Sequence, residues 1–160
     1  MQTYHQEHWQ NVHSEIQPWP QFVLWAEDWK PGKPKADKVP RDPRTGLFGS
    51  AHDPANWLTF DQACALARQQ GVGIGFVLTP HDPFACIDLD GCIGPGDVLS
   101  PLAREIALGF PGAWVERSHS GHGLHVWVRG SVPGGGRRGN GIEAYSEKRF
   151  IALTGKAFQL

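Results

Sequence analysis

The sequence predicts an α+β fold, a mostly antiparallel sheet with helices packed on one face, and three observations predict it. Short apolar runs recur along the chain, separated by Gly- and Pro-rich turns. Only two segments carry helix start and stop signals. The connections between successive runs are mostly too short for the crossovers that a parallel sheet needs. The 160 residues suit one domain, and 40% hydrophobic with 19% charged residues allows a packed core.

Residues 1–18 lack a clear pattern and read as an N-terminal arm; residues 19–160 form the domain proper. Gln21 to Trp25 reads as a strand. Residues 30–56 form a long Lys-, Pro-, Gly- and Asp-rich loop with one short strand near Val39, and a loop of that length in a compact domain is often functional. Thr59 and Gln62 have capping-box spacing, so a helix runs from there to Gln70 and stops at Gly71. Gly73 to Leu78 and Phe84 to Leu89 are apolar runs five residues apart and are expected to pair. Ser100-Pro101 is an N-cap and first-turn proline for a second helix to about Leu108. Four more strands follow at 113–117, 124–129, 142–146 and 150–153, with a Gly-rich turn over 134–141.

Composition excludes several classes. A net charge of −1 and a pI near 6.7 rule out a polybasic binder but allow a local basic groove. The charge is unevenly spread: residues 51–100 hold six acids and one Arg, whereas 101–160 hold eight Lys/Arg and four acids, the pattern of a cation site facing an anionic ligand. No apolar stretch approaches the ~20 residues of a membrane span. The polar start has no signal-peptide core, and three cysteines without a C-x-x-C pair read as reduced thiols, so a cytoplasmic protein is expected.

Three segments carry chemistry. In Phe84 to Gly91 an apolar strand ends in Asp88 and Asp90; alternation puts both on one face, roughly 7 Å apart, able to hold a hard cation. The competing reading is a solvated strand end. In Ser118 to Trp127 a strand enters a Ser/Gly turn and returns, so hydroxyls and backbone N–H groups form a small anion nest, with His125 aimed from the returning strand. That segment can equally be a hairpin turn with incidental histidines. A zinc reading of His119, His122 and His125 finds no Cys or acid at a usual spacing. In Gly141 to Gly155, Glu143 sits within an apolar strand pattern with Tyr145 on its face and Arg149 opening the next strand. A carboxylate there is costly unless paired or bound to metal, and a Glu143–Arg149 surface ion pair is the plainer alternative.

Taken in order, these segments resemble the archaeo-eukaryotic primase superfamily, and more closely the primase-polymerase (prim-pol) domain at the N-terminus of phage and plasmid replication proteins. Asp88 and Asp90 match its D-x-D; Ser120-Gly121-His122-Gly123-Leu124-His125 matches its Ser/Gly turn closing with His; Glu143, Tyr145, Arg149 and Thr154-Gly155 match its third motif. Lys38-Val39-Pro40, Arg44-Thr45-Gly46, Asp53-Pro54, Trp57 to Phe60 and Gly73 to Phe76 extend the likeness over residues 20 to 156. His119 stands where the family often has Pro. The resemblance implies an RRM-like catalytic sheet and template-directed nucleotidyl transfer with two Mg²⁺ or Mn²⁺ ions on Asp88, Asp90 and Glu143. It implies a dNTP or NTP triphosphate held by Ser118, Ser120, Gly123, His125 and Arg149, and a single-stranded DNA template along Lys35, Lys38, Arg137 and Arg138. A helicase domain or protein is the expected partner, and no membrane is involved. Such domains usually continue into a helical segment, so elongation without efficient priming is expected of these 160 residues. Two other classes compete. A non-catalytic nucleotide or single-strand binding module would not need the acids. A Rep-type nicking enzyme needs a His-hydrophobic-His pair, which His122-Gly-Leu-His125 does not supply.

Overall fold

The computed structural model describes residues 4–160. Nine strands and two α-helices follow a short 3₁₀ turn at Gln6–Asn11. They are β1 (Phe22–Asp28), β2 (Asp37–Arg41), α1 (Phe60–Gln70), β3 (Gly73–Leu78), β4 (Phe84–Leu89), α2 (Pro101–Leu108), β5 (Trp114–Arg117), β6 (Leu124–Arg129), β7 (Gly136–Gly139), β8 (Ile142–Tyr145) and β9 (Arg149–Leu153). The architecture is α+β and every strand pairing is antiparallel, as the turn pattern predicts. Both helices begin where their caps put them. Thr59 and Gln62 close a reciprocal capping box, Gly71 ends α1 at φ 68°, and Ser100 Oγ accepts the Ala103 N–H at the head of α2.

The strands form two sheets rather than one. The first has the order β2-β1-β3-β9 and the second β5-β6-β4-β8-β7. Each helix belongs to a different sheet: α1 lies on β1 and β3, while Ala103 and Ala107 of α2 pack with Leu89, Leu124 and Val126 of the second sheet. The expected pairing of residues 73–78 with 84–89 does not occur; β3 pairs with β1 and β9, and β4 with β6 and β8. The reason lies in the connection. Asp82 accepts hydrogen bonds from the Thr79 N–H, the Phe84 N–H and the Gln21 side chain, and this bracing hands the chain from one sheet to the other. The Gly-rich stretch expected as a turn includes an edge strand, β7, paired along β8.

The main core takes residues from both sheets, from α1 and from the N-terminal segment, whose Tyr4, Trp9, Val12 and Ile16 are buried in it. Trp9, Trp25 and Trp127 are its largest fully buried side chains, and the Trp25 indole donates to the Ile74 carbonyl at 2.8 Å. Truncating any of them would cost about 3–5 kcal/mol. The three cysteines are free and buried. Among the described residues no helix is long and apolar enough to cross a membrane.

Candidate active site

The register of the second sheet aligns one polar residue from each strand. Glu116 lies opposite His125, His125 opposite Asp88, Asp88 opposite Glu143, and Glu143 opposite Arg138. Directly opposed residues in antiparallel pairs share a face, so these five side chains form a row across β5, β6, β4, β8 and β7. Two residues further along each strand the same face carries Trp114, Trp127, Cys86 and Tyr145, which belong to the main core or pack against it. The polar row therefore stands at the border of that core.

One end of the row is fully built. Glu116 is buried, and its carboxylate accepts hydrogen bonds from His125 Nδ1 at 2.9 Å, from Thr154 N at 3.1 Å and from Gly155 N at 2.9 Å. These contacts explain how a charge is tolerated there. They also explain the Thr154-Gly155 pair. Thr154 Oγ1 donates to the Arg117 carbonyl at 2.6 Å, and a side chain on Gly155 would strike the His8 carbonyl at 2.1 Å. Held through Nδ1, His125 points Nε2 toward Asp88 Oδ1, 3.8 Å away. Burial alone would lower the His125 pKa, but the hydrogen bond and charge of Glu116, with Asp88 beside it, raise it.

Asp88 is next. Its Oδ1 is buried without a hydrogen-bond partner. Burial pushes its carboxyl above the usual range, and neighbouring Asp90 and Glu143 push the same way against His125 and Lys38. A buried, unsatisfied carboxylate oxygen is expensive, and a cation is what it suits.

The far end is tied up differently. Glu143 Oε1 accepts from Arg138 at 3.1–3.2 Å, and Oε2 accepts from the Tyr145 hydroxyl at 2.9 Å and lies 3.5 Å from Arg149. Arg149 also stacks over the Tyr145 ring at 4.7 Å. Asp90 lies just past the end of β4, exposed, with its N–H bonded to the Gly141 carbonyl. Among the described residues no three His, Cys, Asp or Glu side chains are gathered closely enough to hold a metal ion as they stand. The register places Asp88 and Glu143 side by side, and the Glu143 carboxylate is engaged by Arg138, Tyr145 and Arg149.

The row opens into a cleft of about 510 Å³ lined by residues of both sheets. Asp88 and His125 form one wall; Lys38 and Pro40 of β2, Phe48, and Lys148 to Ala152 around β9 form the other. Lys38, expected along a template path, faces Asp88 and His125 closely enough to affect both their pKa values. Lys35 and Arg137 are exposed and line no part of this cleft.

The Ser/Gly turn between β5 and β6 is closed on itself. Ser118 Oγ accepts the Gly123 N–H at 3.0 Å, Ser120 Oγ accepts the His122 N–H at 3.2 Å, and the two hydroxyls share one hydrogen bond. One hydroxyl proton of the pair is left to spend. Gly123 allows a close approach, since a Cβ there would sit 2.7 Å from the Leu89 carbonyl. His119 is half-buried, bonded to Glu27 of β1, edge-on to Trp25 and stacked on Tyr4. It pins the turn to the first sheet.

Sequence reasoning missed Glu116 and the His119–Glu27 pair. Glu116 could have been found by parity, because it sits in an apolar strand run, two residues before the motif that begins at Ser118.

Comparison with known proteins adds one finding. The chain is 34% identical over 146 residues to a protein of Nitratiruptor phage NrS-1 described as DNA Primase-polymerase, covering 86% of this chain. The chain is a relative of part of a primase-polymerase. It spans 19% of that phage protein's length. No family model matches the chain.

Proposed function

We propose that this chain carries out template-directed nucleotidyl transfer, the DNA primase/polymerase chemistry of phage or plasmid replication. The single observation that carries the reading is the polar row with an unsatisfied buried Asp88 oxygen at its centre, facing a nucleotide-sized cleft. The similarity to a segment of a phage primase-polymerase supports it.

In this reading Asp88, Asp90 and Glu143 hold Mg²⁺ or Mn²⁺. Bound there, such ions supply a lowered pKa for the attacking 3′-hydroxyl and charge neutralisation for the departing pyrophosphate. The chain's own groups do the rest. His125, fixed by Glu116, presents Nε2 to the cleft as a phosphate donor. Lys38 and Arg149 line the opposite wall and bind the dNTP or NTP triphosphate by charge-assisted hydrogen bonds. Ser118, Ser120 and Gly123 contribute from the turn. Arg138 and Arg149 exchange Glu143 for phosphate when the site fills, so Glu143 is freed for the cation as substrate arrives. Arg137 and Lys35 follow the single-stranded template, and a helicase domain or protein supplies the unwound strand.

The test is extension of an annealed primer with dNTPs and Mn²⁺, run beside synthesis on bare single-stranded template. Extension abolished by Asp90→Ala, with little product on bare template, is expected. Nucleotide binding without any extension would assign the chain to a non-catalytic binding module.

A further inference from the structure

The segment between β2 and α1 holds an aromatic ring in the open. Phe48 is 69% exposed, and Leu47 beside it 67%, yet Phe48 lines the same cleft as Asp88 and His125. The loop that carries it is not loose. The Asp42 N–H donates to the Leu47 carbonyl and the Gly46 N–H to the Asp42 carbonyl, at 2.8 and 2.9 Å, and the Gly49 N–H donates to the Pro40 carbonyl at 3.2 Å. The Asp42 carboxylate accepts three hydrogen bonds from Arg44, whose guanidinium reaches on to Asn56. Arg41 donates to the Gly46 carbonyl, and Gly49 packs so close to Asp42 that a Cβ would meet its backbone at 2.6 Å. Phe48 itself bridges back to Arg41. A rigid, hydrogen-bonded loop thus fixes an apolar ring in water at the mouth of a polar cleft. Folding gains nothing from that exposure.

The cleft below it is charge-sorted. Asp88 lies on one wall and Lys38, Lys148 and Arg149 on the other, where the one acid, Asp37, is already paired with Lys30 and Lys33, an arrangement that suits a polyanion with a cation. Its volume of about 510 Å³ accommodates a single nucleotide but not a strand. With the phosphates drawn between the charged walls, the base of that nucleotide is left at the mouth, where an exposed phenyl ring offers a sequence-tolerant stacking surface.

We infer that Phe48 is a stacking platform for the nucleobase of the incoming nucleoside triphosphate. This subsite rests on the nucleotide reading of the cleft given above and adds the contact that distinguishes a nucleotide from a bare polyphosphate. Because every base has a π-face, the platform is indifferent to base identity and leaves selection to the template.

The experiment titrates dATP and inorganic tripolyphosphate, each with Mn²⁺, into wild type, Phe48→Ala and Phe48→Tyr. Phe48→Ala is expected to weaken dATP roughly five- to hundredfold while leaving tripolyphosphate within about twofold. Phe48→Tyr, which keeps the ring, restores dATP affinity. Unchanged dATP binding in Phe48→Ala overturns the platform while leaving the triphosphate site standing. Equal weakening of both ligands also overturns it, since that reports a disturbed loop rather than a lost stack. Weakened binding of a single-stranded oligonucleotide with dATP unaffected would give the ring to the template and refute the assignment. Failure of wild type to bind either small ligand would overturn the nucleotide reading itself, and the platform with it.

Discussion

The two ends of the polar row are built on opposite principles. At the β5–β6 end, Glu116 is buried and satisfied by His125, Thr154 and Gly155, every partner supplied by the fold. At the β8–β7 end, Glu143 is held by Arg138 and Arg149, whose side chains are 69% and 44% exposed. The first end is a fixed framework whose geometry cannot change without loss of stability. The second holds a mostly buried carboxylate by the Tyr145 hydroxyl and by two arginines whose exposed ends are free to exchange partners. Asp88 sits between them with an oxygen that neither end satisfies. On the proposed function, positioning and capture are separated along one row of a sheet.

Removing the centre should have the largest effect. Asp88→Ala is expected to abolish primer extension while the melting temperature stays at or above that of wild type, because a buried unsatisfied carboxylate is removed. Extension by the variant would break the account at its middle.

Next comes the fixed end. Glu116→Ala leaves the His125 ring and two backbone N–H groups buried without an acceptor, and should cost about 3–5 kcal/mol in denaturant unfolding. Glu116→Gln keeps an acceptor for the Thr154 and Gly155 N–H groups and should cost less. If it folds like wild type but loses nucleotide affinity, the orienting role of Glu116 is separated from its structural one.

The pH dependence of stability is a smaller, graded effect with two arms. Burial lowers the pKa values of His5, His13 and His119, so below about 6.5 the unfolded chain binds more protons and stability falls as pH drops. The raised pKa of His125 has the opposite sign. Its contribution is complete below about 6.5 and is lost as pH rises through the folded value. Thermal melts from pH 5 to 8 should therefore show a maximum near the middle of that range. A monotonic curve would show that one of the two groups does not behave as its surroundings dictate.

The smallest effect is expected at the exchangeable end. Arg138→Ala should change stability by no more than about 0–1 kcal/mol, since the Arg138 side chain is 69% exposed and Glu143 keeps the Tyr145 hydroxyl. Mn²⁺ affinity should stay the same or rise, because a competitor for Glu143 has gone. Isothermal titration separates these outcomes, and a marked loss of affinity would mean that Arg138 builds the site instead of guarding it.

Much of this was legible in residue order alone. Thr59, Gln62 and Gly71 bound the first helix, Ser100 and Pro101 open the second, and both stand where local chemistry puts them. Strand parity made Asp88 and Glu143 candidates, and their direct pairing follows from register. The division into two sheets was not legible. Thr79 to Pro83 has the length of a hairpin loop, and only the long-range bond from Gln21 to Asp82 reveals a crossing between sheets. β7 was hidden because a strand of glycines and arginines has no pattern of its own and exists by pairing with β8. Glu116 was hidden because the groups that make it tolerable, Thr154 and Gly155, lie 38 and 39 residues away.

The central claim is that Glu143 leaves its arginines to share a cation with Asp88. A crystal of the protein grown with Mn²⁺ and dATP and measured at the manganese edge tests it most directly. The account predicts an anomalous peak within about 2.0–2.6 Å of carboxylate oxygens of both Asp88 and Glu143, with Arg138 or Arg149 turned to phosphate. Nucleotide bound in the cleft while Glu143 remains on Arg138, with no manganese at Asp88, would contradict it.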